Sequence, residues 1–152
     1  ALSSAASDVY KRQVMNQKQF LYVLAKLIEG TEAYLSCRNL LLSGIKLIGN
    51  DDLMHGLDDL RKALEMLLKK KLHNKLPIER QSSKRVVKLI EENGWGKVGQ
   101  TLWPYLKYIF QKYQNAYVKH DDGTRITEQD ADLCVKQALL LMMYIVSKKE
   151  NV

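Results

Sequence analysis

This sequence has few of the residues that mark disulfide frameworks, zinc sites or membrane segments. It contains only two cysteines, Cys37 and Cys134, which show no paired spacing for zinc and no disulfide framework. Both stand among apolar neighbours, so we expect two buried thiols in a reducing cytoplasm. Charged residues interrupt every apolar run before it reaches the roughly 20 residues that span a bilayer. We therefore expect no association with a membrane.

The residue patterns of the common catalytic and cofactor sites are also missing. His55, His73 and His120 are widely spaced and lack clustered carboxylates, which argues against a metal site. The glycines around Trp95 follow no strand and lack the lysine of a phosphate-binding loop. No nucleophilic triad can be recognised. We expect neither a metal nor a cofactor.

Apolar residues instead recur at helical spacing along most of the chain. The clearest stripe contains Leu53, Leu57, Leu60 and Leu64, at steps of three and four residues. The patterns and turn residues predict helices over Gln17–Glu29, Thr31 or Glu32 to Ile48, Asp51–Leu72, Glu79–Asn93, Gln100–Lys119 and from Glu128 onward.

We therefore predict an all-α fold, an antiparallel bundle of four main helices with one or two short helices. Because proline is tolerated in the first turn of a helix, Pro104 places the start of the fifth helix near Leu102 or Trp103.

The first residues do not resemble a natural protein sequence. Ser3 to Gln13 can be read codon by codon as a transposon-based sequencing adapter. We expect residues 1–13 to be an assembly scar and exclude them from the fold. Residues 14–152 are then a single helical-bundle domain, which could be the C-terminal part of a longer protein.

The chain carries a formal net charge of +7, which favours anionic partners. Much of it lies in the run 69–71 and around Lys84, Arg85 and Lys88. These stretches alternate with core positions, so solvated helix faces are the first interpretation and nucleic-acid binding is the second. With Lys112, the last three are our candidate nucleic-acid-binding residues.

Polar side chains are concentrated at the end of the fifth predicted helix. Gln114, Asn115, Lys119 and His120 lie there, followed by two aspartates and Gly123. One interpretation is structural, because a lysine and a histidine in the last turn each stabilise the helix dipole by about 0.3–1 kcal/mol. The other is catalytic.

In the catalytic interpretation the segment cleaves RNA, with the ribose 2′-hydroxyl as internal nucleophile and no metal. His120 would transfer the proton, and Lys119 would stabilise charge on phosphorus. Gln114 or Asn115 would orient the substrate. A second His120 from a symmetric partner could complete the acid–base pair.

Two stretches, 60–69 and 113–120, resemble the HEPN superfamily of helical nucleotide- and RNA-binding domains. That family's ribonuclease motif is an arginine, often a polar residue next, and a histidine four to six positions later. Asn115 and His120 match the polar residue and the histidine, whereas Gln114 stands in place of the arginine. Glutamine supplies neither the charge nor the forked donor of arginine.

The resemblance implies a homodimer that binds or cleaves RNA in a bacterial defence or toxin context. A cognate antitoxin or a larger defence protein would be its protein partner. Superfamily members without the full motif are implied to be non-catalytic. The alternative from another functional class is a non-catalytic helical protein-interaction module of a truncated larger protein.

Overall fold

The described part of the chain consists of α-helices and one 3-10 turn with their connections. The computed structural model describes residues 16–119 and 128–150, without the side chains of residues 98, 113–119 and 128. The predicted scar over residues 1–13 lies outside the described residues. The helices are α1 (Gln17–Gly30), α2 (Leu35–Gly49), α3 (Leu53–Lys71), α4 (Ser83–Glu92), α5 (Lys97–Lys119) and α6 (Glu128–Val146), with a 3-10 turn at Ile78–Arg80.

The all-α prediction is confirmed, since the described part of the chain contains no strand. Within those residues, no helix has both the length and the apolar character needed to cross a membrane.

Two predicted helix starts are wrong because local turns occupy those residues. α2 begins at Leu35 rather than at Thr31 or Glu32. Thr31 is buried and its hydroxyl donates to the carbonyl of Leu27, while the N–H of Tyr34 donates to the carbonyl of Thr31. α4 begins at Ser83 rather than at Glu79, because the Ser82 side chain caps it and a 3-10 turn precedes it.

The predicted start of the fifth helix near Leu102 or Trp103 is also wrong. α5 begins at Lys97, which places Pro104 inside the helix. Pro104 is exposed, so water can solvate the carbonyl of Gln100 that the missing N–H leaves without a helical partner. The helix therefore tolerates this proline beyond its first turn.

Three helices each end in a turn of the same type, in which one residue takes the left-handed conformation. In each turn the next N–H donates to the carbonyl five residues earlier, at 2.9 to 3.2 Å. The left-handed residues are Asp51 after α2, His73 after α3 and Gly94 after α4, with φ of 63°, 53° and 84°. Asp51 is thus used to end α2, and the side chain of Asp52 caps α3.

α2 and α3 form an antiparallel hairpin whose helices cross closely at two glycines. The Cys37 thiol donates to the carbonyl of Ala63 at one end, and Ser43 donates to Asp59 nearer the turn. At the crossing, a Cβ on Gly44 would lie 2.9 Å from the carbonyl oxygen of Gly56. The absence of side chains at both positions is what lets the backbones approach.

α6 packs against α1, α3, α4 and α5. The C-terminal end of α1 lies beside the C-terminal end of α6, since Lys26 pairs with Glu150 and Gly30 lies against Val146. The buried residues of α6 are Ala131, Cys134, Val135, Ala138, Leu139, Leu141, Met142, Met143 and Ile145. Nearly all of the buried apolar side chains form one cluster, to which α6 contributes more than any other helix.

We predict that Gly56→Ala destabilises the hairpin although alanine has the higher helix propensity. The new Cβ would lie 2.5 Å from Cγ1 of Ile48 and 2.9 Å from the carbonyl oxygen of Gly44. Overpacking of this kind costs about 1–3 kcal/mol, against a propensity gain of about 1 kcal/mol. Urea unfolding should show a net loss of stability.

Gly49→Ala is the matched control, because no atom lies within 4 Å of its added Cβ. It should be neutral or slightly stabilising. A Gly56→Ala protein that is as stable as Gly49→Ala would contradict the close crossing.

Candidate nucleic-acid interface

In the sequence, the four predicted catalytic residues lie at or directly after the C-terminal end of α5. Gln114, Asn115 and Lys119 lie within the last turns of the helix, but their side chains are outside the described residues. His120 follows and also lies outside them. The arrangement of these four groups therefore stays a prediction, as does the pairing of two His120 side chains across a dimer.

Positive charge is concentrated in one continuous third of the chain. Residues 69–119 contain 12 Lys or Arg and three Asp or Glu, a formal charge of +9. This exceeds the +7 of the whole chain, so the remaining residues are slightly acidic together. The stretch runs from the end of α3 through α4 and α5.

Part of this charge is used within the fold. Lys69 pairs with Glu65 at 3.0 Å, one turn earlier on α3. The Lys71 ammonium lies 5.5 Å from the centre of the Tyr34 ring, within range of a cation–π interaction. Two lysines of the 69–71 run therefore have partners within the fold.

A buried glutamine joins the end of α3 to the start of α4. Gln81 is 2% exposed, and its amide nitrogen donates to Oδ1 of Asn74 and to the carbonyl of Leu76, both at 2.9 Å. The Asn74 amide donates back to Oε1 of Gln81 at 3.0 Å. Because an unsatisfied buried amide costs about 1–3 kcal/mol, these bonds hold the two ends of the linker 74–81 together.

Two basic side chains cross between elements at the same place. Nη2 of Arg85 on α4 donates to the carbonyl of Leu72 at 2.8 Å, at the C-terminal end of α3. Its positive charge is favourable at that negative end of the helix dipole. Nζ of Lys107 on α5 donates to the carbonyl of Gln81 at 3.4 Å. α3, α4 and α5 thus meet around one short linker.

The remaining basic residues of α4 face solvent. Lys84 is exposed in the first turn, and Lys88 is one turn further along the same face. The Lys88 side chain is 72% exposed, with Glu92 at 3.8 Å, a distance at which an exposed pair contributes little. We call the surface formed by Lys84, Arg85, Lys88 and Lys107 the basic corner.

Three of the four predicted nucleic-acid-binding residues therefore belong to one surface. Lys112 lies instead on the exposed face of α5, with its ammonium 6.0 Å from the centre of the Tyr108 ring. Lys107 was not among the residues predicted from the sequence. In the sequence it is a single charged residue between Leu106 and Tyr108, a pattern that does not indicate its contact with Gln81.

The other candidate groups have structural explanations. His55 lies in the first turn of α3 with Nδ1 2.9 Å from Oδ1 of Asp52, and its side chain is 81% exposed. Burial raises the pKa of the Cys37 and Cys134 thiols to about 11, so both are neutral and unreactive near pH 7. In the described ranges 16–119 and 128–150, no group of three potential metal ligands comes together.

No protein-family model, no curated protein and no solved structure matches this chain. The resemblance to the HEPN superfamily therefore stays a prediction from the two sequence stretches 60–69 and 113–120.

Proposed function

We propose that this chain is a cytoplasmic RNA-binding domain of the HEPN type, built on an antiparallel bundle of four main helices. The observation that carries the proposal is the basic corner, in which a hydrogen-bonded linker gathers positive charge from α4 and α5. RNA is the polyanion that the resemblance implies. A bacterial defence or toxin setting, with a cognate antitoxin or larger defence protein as partner, belongs to the same proposal.

Phosphate binding is the chemistry that such a surface favours. Lysine and arginine that neutralise phosphates release condensed counterions, which makes affinity fall steeply with salt. Lys84 and Lys88 lie on one exposed face of α4, so their ammonium groups can contact successive phosphates of one strand. Arg85 and Lys107 are held to backbone carbonyls, which fixes their charge beside that face.

In its catalytic form the domain is a metal-independent ribonuclease. His120 would act as general base or acid on the ribose 2′-hydroxyl or the leaving oxygen. Lys119 would stabilise the charge on phosphorus, and Gln114 and Asn115 would orient the phosphoryl group. Gln114 replaces the motif arginine at this site. The alternative is therefore an inactive domain that binds RNA without cleaving it.

We predict that reversing charge on the basic corner weakens RNA binding more than reversing the same charge elsewhere. Lys84→Glu combined with Lys88→Glu should raise the dissociation constant at least about tenfold, since several phosphate contacts are lost. The salt slope should become shallower. Fluorescence anisotropy with labelled RNA over a series of salt concentrations measures both.

The matched control is Lys18→Glu with Lys148→Glu, two exposed lysines on α1 and beyond α6 with the same change in net charge. It should change affinity by no more than about threefold. Equal losses in both double variants would contradict a localised interface.

We also predict that cleavage, if it occurs, depends on His120 and not on a metal ion. RNA cleavage in excess EDTA should proceed in the wild type and fall about 10²–10⁴-fold in His120→Ala, because general acid–base catalysis contributes that much. Gln114→Arg should raise the rate by restoring charge at the phosphate. Equal cleavage by wild type and His120→Ala, or none by either, would contradict the ribonuclease form and leave the binding domain.

A second candidate function is a helical interaction module, favoured by apolar side chains exposed on α1 and α2. Their exposures reach 65% for Leu35 and 59% for Leu21. The full set is Leu21, Tyr22, Ile28, Leu35 and Leu42. The Arg38 guanidinium donates to the carbonyl of Ile28, which joins the two helices within this surface. We assign this surface to a second copy of the chain, consistent with the implied homodimer.

Leu35→Glu should then convert a dimer to a monomer in sedimentation equilibrium, because it places a charge in an apolar contact. Since Leu35 is exposed in one copy, its replacement should leave the thermal stability of the monomer nearly unchanged. If Leu35→Glu and the wild type have the same mass, whether both are dimers or both are monomers, this surface is not the dimer contact.

A further inference from the structure

The exposed face of α5 has an unusual composition for a helix that packs on one side. The helix contains four lysines and no Asp or Glu over its 23 residues. Its exposed residues are Lys97, Thr101, Pro104, Tyr105, Tyr108, Gln111 and Lys112. Tyr108 directly follows Lys107, the α5 residue of the basic corner, and Gln111 and Lys112 continue this face toward the end of the helix.

The aromatic residues of α5 are divided between the core and this face. Trp103 is fully buried and Phe110 is 3% exposed, so packing explains both. Tyr105 is 42% exposed, and burial raises the pKa of its hydroxyl, with Cys134 and Asp130 of α6 contributing. Tyr108 is 61% exposed, more than any other aromatic side chain among the described residues. Nothing in the described fold accounts for a large ring in that position.

A comparison within the molecule shows what distinguishes Tyr108. Tyr22 on α1 has the same arrangement, with Lys26 one turn later and its ammonium 5.7 Å from the ring centre. Lys26, however, is neutralised by Glu150 at 2.5 Å and lies 4.0 Å from Glu29. Among the described residues, Lys112 forms no ion pair with a carboxylate, and its ammonium lies 6.0 Å from the centre of the Tyr108 ring.

An exposed tyrosine ring beside a lysine ammonium is suited to bind a nucleotide whose base is unpaired. Every base has a π-face that can stack on tyrosine, and the lysine can contact the adjoining phosphate. Bases within a duplex are stacked on one another and do not offer that face. A-form duplexes are recognised through their backbone and 2′-hydroxyls instead.

We propose that Tyr108 and Lys112 form a base-stacking site for single-stranded RNA, adjoining the basic corner. The proposal rests on the proposed RNA-binding function and deepens it. Phosphates lie along Lys84, Lys88 and Lys107, and the strand continues over α5, where an unpaired base stacks on Tyr108. Duplex RNA uses the basic corner alone.

The test compares a single strand of about 12 nucleotides, near the usual footprint of a single-strand-binding module, with a duplex hairpin of equal phosphate number. Anisotropy titrations would use wild type, Tyr108→Ala and Tyr108→Phe. Tyr108→Ala should weaken single-strand binding about tenfold, as expected for one lost stacking contact. Duplex affinity should stay within about twofold, and the salt slope should not change, because no phosphate contact is lost.

Tyr108→Phe should retain the wild-type affinity, because phenylalanine keeps the ring. Equal weakening of both RNAs by Tyr108→Ala, or an equal loss in Tyr108→Phe, would overturn the stacking site while leaving the basic corner in place. A wild type that binds neither RNA would overturn this inference together with the proposed function.

Discussion

The buried side chain of Gln81 is the constraint on which the proposed interface depends. Its amide group is satisfied by Asn74 and Leu76, and the backbone carbonyl of the same residue accepts from Nζ of Lys107. An amide buried to this degree is tolerated only with its partners in place, so the linker has few alternative positions. The end of α3, the start of α4 and the middle of α5 are thereby brought together. The charge of Lys84 and Lys88 is presented on that framework.

The distribution of charge and of exposed apolar groups divides the molecule into two functional surfaces. The α4 and α5 side carries the excess positive charge and an exposed tyrosine beside a lysine without a described carboxylate partner. The α1 and α2 side carries exposed leucines, and its tyrosine–lysine pair is neutralised by Glu150. In the proposed function, a polyanion binds to the first of these surfaces and a second copy of the chain binds to the other. α6 packs against helices of both sides, and its burial supplies much of the common core.

Helical periodicity was sufficient to predict the fold class and most helix positions, because each helix buries one apolar stripe. It failed where side chains act locally. Thr31 bonds within its own turn, and Ser82 caps a later start of α4. Pro104 is exposed and lies inside α5, beyond the first turn to which we expected it to be confined. For the site, exposed lysines such as Lys84 could be predicted from charge alone. The contacts of Arg85 with Leu72 and of Lys107 with Gln81 join distant segments, which no sequence spacing encodes.

The central claim is that RNA binds along α4 and the exposed face of α5. Amide chemical-shift perturbation during titration with single-stranded RNA tests it most directly, because it reports on every helix at once. If RNA binds along these two helices, we expect shifts concentrated in residues 72–88 and 105–112, with α1 and α2 nearly unaffected. Shifts concentrated on α1 and α2, or spread evenly over the exposed lysines of the chain, would contradict it.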